Sequence, residues 1–295
     1  MTISIEAHIQ ALEETGNYRI LKRFEPKAFY HLDSEATKIQ KKIGIFLDTE
    51  TTGTDVQTDE IIEIAMLPFE YDMQGRIYQL LPAYSSFNQA SKPISPEITQ
   101  ITGITDQMIE GHHIDVQTVQ KMAEQAHIII AHHAGFDRPF CEKLFEGFKD
   151  IPWGCSLSDI DWKGQGMESM KLSALASAYG FFYEGHRALI DCQVGIEILS
   201  RQLPQSEQTA LQALLTHARQ THVRLWAENA PFDSKDILKQ RGYRWNALKK
   251  TWYIDLSEDK IEAEIIKLNR DVYPSERTHF PMEYFDAKKR YSGRV

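Results

Sequence analysis

Two carboxylates one residue apart, Asp48 and Glu50, stand at the end of the apolar run IGIFLDTETTG (43–53). Side chains alternate faces along a strand, so these two acids point the same way and crowd their charges together. Such a pair is unfavourable unless something positive sits between its members, and a divalent metal ion meets that need. Two more acids follow apolar segments. Asp137, in IIIAHHAGFDRPF, comes just after a short buried strand and opens a helix. Asp191, in EGHRALIDC, also opens a helix, five residues after His186. That spacing would put the two on different faces of a regular helix, so His186 is expected in the preceding loop and Asp191 in the first turn. Asp48, Glu50, Asp137 and Asp191 could then surround two Mg²⁺ or Mn²⁺ ions, because oxygen ligands select hard cations.

Each residue alone has an ordinary reading. Acidic pairs at strand ends are common, an aspartate often caps a helix, and a loop histidine usually does nothing. Only their joint occurrence points to catalysis. His112–His113 and His132–His133 lack a carboxylate or thiolate at zinc spacing. Cys141 and Cys192 fall on apolar helix faces and read as core.

The ordered set resembles the DnaQ-like (DEDDh) family of 3′→5′ exonucleases. FLDTETTG is similar to its first motif, HHAGFDRPF to its second and HRALIDC to its third, while PEITQITGITDQMI (96–109) resembles the segment between the first two. The likeness covers roughly residues 43–202. One departure is His133, where the family usually carries Asn, so contacts around Asp137 are expected to differ. The resemblance implies a ribonuclease-H-like mixed five-stranded sheet flanked by helices. It further implies that Asp48 bridges both ions, Glu50 and Asp191 complete the site of the water-binding metal, Asp137 holds the second ion through water, and His186 is the general base. Thr49, Thr51 and Thr52, followed by the turn at Gly53, are then expected to meet the terminal sugar. Phe136 is read as a base-stacking residue, with burial beside the sheet as the equal alternative.

The elements that must position these groups follow from periodicity. A helical extension covers 1–42, with a charged lead-in at 36–42. Apolar runs at 60–72 and 75–83 predict a meander, a helix is expected at 115–126 and a strand at 127–131. A helix runs through FDRPFCEKLFEGF, another through SMKLSALASAYG to a glycine stop, and ALIDCQVGIEILSRQL reads as amphipathic. Strands in hairpins followed by strands alternating with helices imply a mixed sheet covered by helices.

A boundary is expected near 205–222, dividing an exonuclease domain (43–204) from a small α+β domain (222–295). In the latter, HVRLWAE predicts a strand, DSKDILKQR a helix, GYRWNALKKTWYIDL a hairpin and SEDKIEAEIIKLNRDVY a closing helix, with a charged and aromatic tail after it. The hairpin interleaves Tyr243, Trp245, Trp252 and Tyr253 with Arg244, Lys249 and Lys250, a composition suited to single strands, although aromatic stripes are more often buried.

Composition sets outer bounds. With 295 residues, of which 42% are hydrophobic, there is material for more than one packed domain. No apolar run approaches spanning length, the N-terminus is too polar for a signal peptide, and three scattered cysteines fit a reducing compartment, so a cytoplasmic protein without a membrane partner is expected. The net charge of −9 is unevenly placed: residues 222–295 carry 15 Lys+Arg against 12 Asp+Glu, and the rest carries 18 against 30. An acidic body still binds a polyanion where metal ions neutralise its acids.

Three functions stand at this point. The first is an exonuclease removing nucleoside 5′-monophosphates from 3′ ends of single-stranded DNA in repair, proofreading or turnover, with polymerase or repair proteins as partners. The second is an exoribonuclease trimming RNA. The third is a polymerase-associated binding or scaffold subunit, against which the complete set of acids and histidine argues.

Overall fold

The computed structural model describes residues 4–31 and 39–294; positions 1–3, 32–38 and 295, which include part of the expected lead-in at 36–42, lie outside that description. Helix α1 (Ile5–Glu14) begins on Ser4, whose hydroxyl accepts the Ala7 N–H, and is followed by Gly16 in the left-handed region. The extension is not helical throughout. Its strand β1 (Lys22–Arg23) will pair with a later strand.

The sheet begins with β2 (Lys42–Thr51), β3 (Ile61–Tyr71) and β4 (Ile77–Leu80), the meander read from the apolar runs. A further strand, β5 (Tyr84–Phe87), returns to β3. Helices α2 (Pro96–Thr102), α3 (Asp106–Ile109) and α4 (Val116–Gln125) lead into β6 (Ile128–Ala131), α5 (Ala134–Leu144) and β7 (Trp153–Cys155). Then come α6 (Leu172–Ala178), β8 (Phe181–Phe182), α7 (Ala188–Ser200) and α8 (Ala210–Ala218). Strand order is β4-β3-β2-β6-β7, with β5 added beside β3. Strands β2 and β3 are antiparallel, whereas β6 and β7 run parallel to β2, so the sheet is mixed as expected. Strands β1 and β8 form a separate parallel pair.

The alternation of β2 divides the core. Phe46 faces α6, α7 and α8, while Ile45 and Leu47 face α4 and α5. Burying a phenylalanine such as Phe46 contributes about 1.5–3 kcal/mol relative to leaving it in water. Helix α7 departs from the amphipathic reading: Cys192 and every residue from Val194 to Leu199 are buried, because neighbours enclose it on nearly all sides. The stretch read as a boundary holds α8, whose Leu211, Leu214 and Leu215 join the same core.

The C-terminal module contains β9 (His222–Ala227), α9 (Lys235–Gln240), β10 (Arg244–Asn246), β11 (Thr251–Ser257), α10 (Ile261–Asp271) and β12 (Met282–Phe285). Its antiparallel sheet has the order β10-β11-β9-β12. Val223, Leu225 and Ala227 pack with Leu238 and Leu268 of the two helices, and Trp252 and Tyr243 belong to this small core. The alternate residues stack on one another: Trp226 lies 5.3 Å from Tyr253, and the Arg224 guanidinium sits 4.2 Å over the Tyr253 ring.

The final residues are a strap. Arg138 of α5 is fully buried and donates hydrogen bonds to the carbonyls of Ala287, Lys288 and Arg290, while the Trp153 N–H donates to Ala287 O. The strap therefore fastens the C-terminal module to the helix that carries Asp137. Among the described residues no helix is long and apolar enough to cross a membrane.

Candidate active site

Strand β2 delivers Asp48 and Glu50 to its α7 face, next to Phe46. Helix α7 supplies Asp191 from its first turn, and Gly195, one turn further, explains how it comes so close. A Cβ at Gly195 would overlap the Phe46 ring, so only glycine lets this helix settle directly on β2. One carboxylate oxygen from each of Asp48, Glu50 and Asp191 lies within 4.8 Å of the others. Asp137 arrives from the opposite side. Because β6 runs parallel to β2, α5 begins at the same sheet edge, and Asp137 in its first turn accepts the Thr49 hydroxyl (2.8 Å) and N–H (3.2 Å). His186 is in the loop before α7, exposed, with a left-handed backbone (φ 66°) uncommon for a side-chain-bearing residue.

Burial and mutual repulsion act in the same direction on these acids. Asp48 is held well above the usual carboxylate range, first by burial and then by Asp137, Asp191, Glu50 and Glu63. Burial, with Asp191, Glu63 and Asp137, raises Glu50 to about 8, although Arg187 opposes this. Burial raises Asp137 to about 7 despite its hydrogen bonds from Thr49. Asp191 is also raised by burial, against the Tyr183 hydroxyl (2.9 Å), the Arg187 N–H (3.1 Å) and His186. Four acids so placed are poor anions on their own and good ligands for a hard divalent cation, which removes the repulsion and needs oxygen donors. The donor set fits such an ion. Among the described residues, no other cluster of His, Cys, Asp and Glu shares this spacing.

The threonine hydroxyls have partners within the chain. Thr49 is buried on the far face and serves Asp137; Thr51 donates to Gly53 O; Thr52 donates to Asp59 (3.3 Å) and accepts the Glu60 N–H (3.0 Å). Their hydroxyls brace the strand end and its turn. Alternation assigns this: Thr49 and Thr51 point away from Asp48 and Glu50. Phe136 is half-buried, packed on Phe140 (5.1 Å) and parallel to His133 (6.1 Å), which favours the packing alternative. His133 itself is exposed and gives no side-chain cap to α5. His132 is occupied by Ser156 and the Met170 carbonyl, and all three cysteines are free thiols in the core.

Three residues escaped the sequence reading. Glu63 of β3 lies directly across from Glu50 and is buried. Arg187 closes on it (3.1 Å), and the Ala188 N–H also reaches it (3.3 Å), so this pair clamps the chain immediately after His186. Tyr183 holds Asp191. The signal for Glu63 was an acid inside an otherwise apolar strand, IIEIAML. Beside His186 a cavity of about 460 Å³ opens among Arg23, Phe24, Thr102, Tyr183 and Arg187.

Residues 45–199 match the RNase_T family model, described as an exonuclease. The PolC-type DNA polymerase III of Thermotoga petrophila is 29% identical over 163 residues, covering 53% of this chain but only 12% of the polymerase. The DNA polymerase III subunit epsilon of Treponema pallidum is 27% identical over 162 residues, 52% of this chain and 73% of the subunit. Among solved structures, E. coli exonuclease I in complex with a dA16 oligonucleotide superposes with a TM-score of 0.50 at 14% identity, covering 84% of this chain and 64% of that one. At that identity the likeness speaks to the fold, which it shares.

Proposed function

The chain belongs to the RNase_T exonuclease family, and from that premise we propose that it removes nucleoside 5′-monophosphates from the 3′ ends of single-stranded DNA. The observation that carries this reading is the convergence of Asp48, Glu50 and Asp191 within 4.8 Å, with Asp137 behind them and His186 exposed at the mouth. Asp48, Glu50 and Asp191 would hold divalent ions, Mg²⁺ or Mn²⁺, with Asp137 supporting from the α5 side. Such ions neutralise phosphate charge and acidify the attacking water when bound.

The chain's own residues supply the remainder. His186 takes the proton of the attacking water as general base. The Glu63–Arg187 pair and the left-handed turn hold the backbone that carries His186. Tyr183 and the Arg187 N–H hold the Asp191 carboxylate in one orientation. The cavity beside His186 is lined by Arg23, Phe24 and Arg187, with Glu184 paired to Arg23 at 3.2 Å, and its cations and ring suit a strand end that presents phosphates and a base. DNA is preferred because the polymerase III relatives carry DNA in their names; polymerase or repair proteins are partners on the same ground.

Equal amounts of 5′-labelled single-stranded DNA and RNA, incubated with Mg²⁺ and with EDTA, test the proposal. Stepwise shortening of DNA from its 3′ end in Mg²⁺ alone is expected. Preferential RNA shortening would reassign the substrate, and no shortening of either would overturn the reading in favour of a binding subunit.

A further inference from the structure

We propose that the cavity where the C-terminal module meets the catalytic module binds backbone phosphates of the substrate strand, away from the end being cleaved; that the ligand is a strand rests on the function proposed above. The cavity measures about 330 Å³ and is lined by Arg224, Arg244, Lys260 and Arg290, together with Phe285 and Tyr291. One carboxylate, Asp255, also lines it, and Arg224 grips that group through two bonds of 2.7 Å. The remaining cations are not so satisfied. Arg244 and Lys260 are exposed, and among the described residues their side chains make no hydrogen bond or ion pair. Arg290 is only 5% exposed; its Nη1 meets His217 Nδ1 (2.9 Å) and His222 (3.2 Å), but its Nε and Nη2 have no hydrogen-bond partner, and its ion pair with Asp159 is long at 3.7 Å.

A buried guanidinium with idle donors is unfavourable until an oxyanion meets it, and its fork matches phosphate oxygens. The chain as a whole is acidic, so a cation-lined cavity runs against the general field and marks where a polyanion would settle. Two features favour a strand over a free ion. Arg244 is on edge strand β10, opposite Tyr253 in register, so cation and ring share the sheet face that bears Trp226. Sequence-independent strand binding uses such alternation of rings and charges. The cavity is also tied to α5 by the Arg138 contacts to the strap, so one strand could engage both places at fixed separation.

The test uses the full chain with Arg244→Ser and Lys260→Ser combined, both exposed positions whose loss opens no cavity. Binding of a labelled single strand of about 20 nucleotides is followed by anisotropy in EDTA across a salt series, beside hydrolysis of a dinucleotide in Mg²⁺. Losing two phosphate contacts should weaken the long strand about tenfold at low salt and reduce the salt slope by about 1.4. Dinucleotide hydrolysis should not change, and Arg244→Lys with Lys260→Arg should restore binding. Unchanged affinity and slope would overturn the proposal. Thermal stabilisation by inorganic phosphate in the wild type but not the double variant, with strand affinity unchanged, would make this a free-anion site and also overturn it. If the wild type hydrolyses nothing, the proposed function fails, and the anisotropy result still decides this cavity by itself.

Discussion

Asp48 and Asp159 are both buried aspartates, and their surroundings treat them in opposite ways. Asp48 looks onto other acids, and its carboxyl is pushed up by burial and by Asp137, Asp191, Glu50 and Glu63. Asp159, next to β7, is also desolvated, yet a hydrogen bond from His217, the charge of Arg290 and the Tyr291 hydroxyl outweigh that and hold it below its usual range. Its Oδ2 further accepts the Cys155 N–H at 2.9 Å, and His217 Nδ1 lies 2.9 Å from Oδ1. One aspartate is unsatisfied until a cation arrives; the other is satisfied by the fold itself and joins α8, the β7 loop and the strap. Burial alone does not tell a functional carboxylate from a structural one. The sign of its surroundings does.

The same substitution at both positions is the sharpest way to break this contrast. Asp48→Asn should lose all measurable hydrolysis while the metal-free protein gains stability, its Tm rising by about 2–4 °C, because a neutral amide replaces a buried carboxyl that faces other acids. Detectable activity, or a lower metal-free Tm, would refute the account of Asp48. His186→Ala should reduce kcat by about 10²–10⁴-fold and leave metal-induced stabilisation unchanged, because the acids remain. Loss of that stabilisation would make His186 a ligand rather than a base.

Asp159→Asn should do the reverse of Asp48→Asn. Removing the partner of a buried Arg290 is expected to destabilise by about 3–5 kcal/mol, read as a shift in urea midpoint, with dinucleotide hydrolysis retained below the melting transition. A neutral or stabilising outcome would mean that the junction is not held by this charge.

The pH dependence sharpens the contrast further. The acids of the candidate site have raised folded-state values, Asp137 about 7 and Glu50 about 8, against ordinary carboxylate values in the unfolded chain. The stability they contribute is complete below about pH 4 and is lost as pH rises through 7 to 8. Asp159 is lowered, so its contribution is present above about pH 4 and is lost as pH falls through its folded-state value. Mg²⁺ or Mn²⁺ should therefore raise Tm more at pH 8 than at pH 5, and calorimetry with and without metal checks it. An equal shift at both pH values would show that the acids do not hold their protons. The smallest effect is expected at Gly195→Ala, where the added methyl meets Phe46 and should cost about 1–3 kcal/mol, with reduced metal affinity as α7 is pushed from β2. Unchanged affinity would free Asp191 from dependence on that close approach.

Much of this was legible beforehand for a physical reason. Local rules act over a few residues, so strand alternation alone placed Asp48 and Glu50 on one face, and helix geometry alone placed His186 in a loop ahead of Asp191 in a first turn. Apolar runs announced β2, β3 and β6, and the hairpin of the C-terminal module followed from its aromatic spacing. What local rules do not carry is who stands opposite. Glu63 enters the site only because β3 pairs with β2 in the register that sets it across from Glu50. Thr49 was linked to substrate by the family resemblance alone, and only the packing of α5 shows its hydroxyl donating to Asp137. Strands β5 and β7 are too short to show a period, and α7 looked amphipathic because nothing in its sequence says how many neighbours enclose it. The sequence by itself determined which residues could ligate a metal and on which elements they ride. The tertiary structure alone decided that α7 settles on β2 through Gly195, that Arg187 clamps Glu63, and that a C-terminal strap ties the basic module to the helix of Asp137. Those contacts join residues 124 to 152 positions apart, where no sequence period reaches and only the packed chain brings charges face to face.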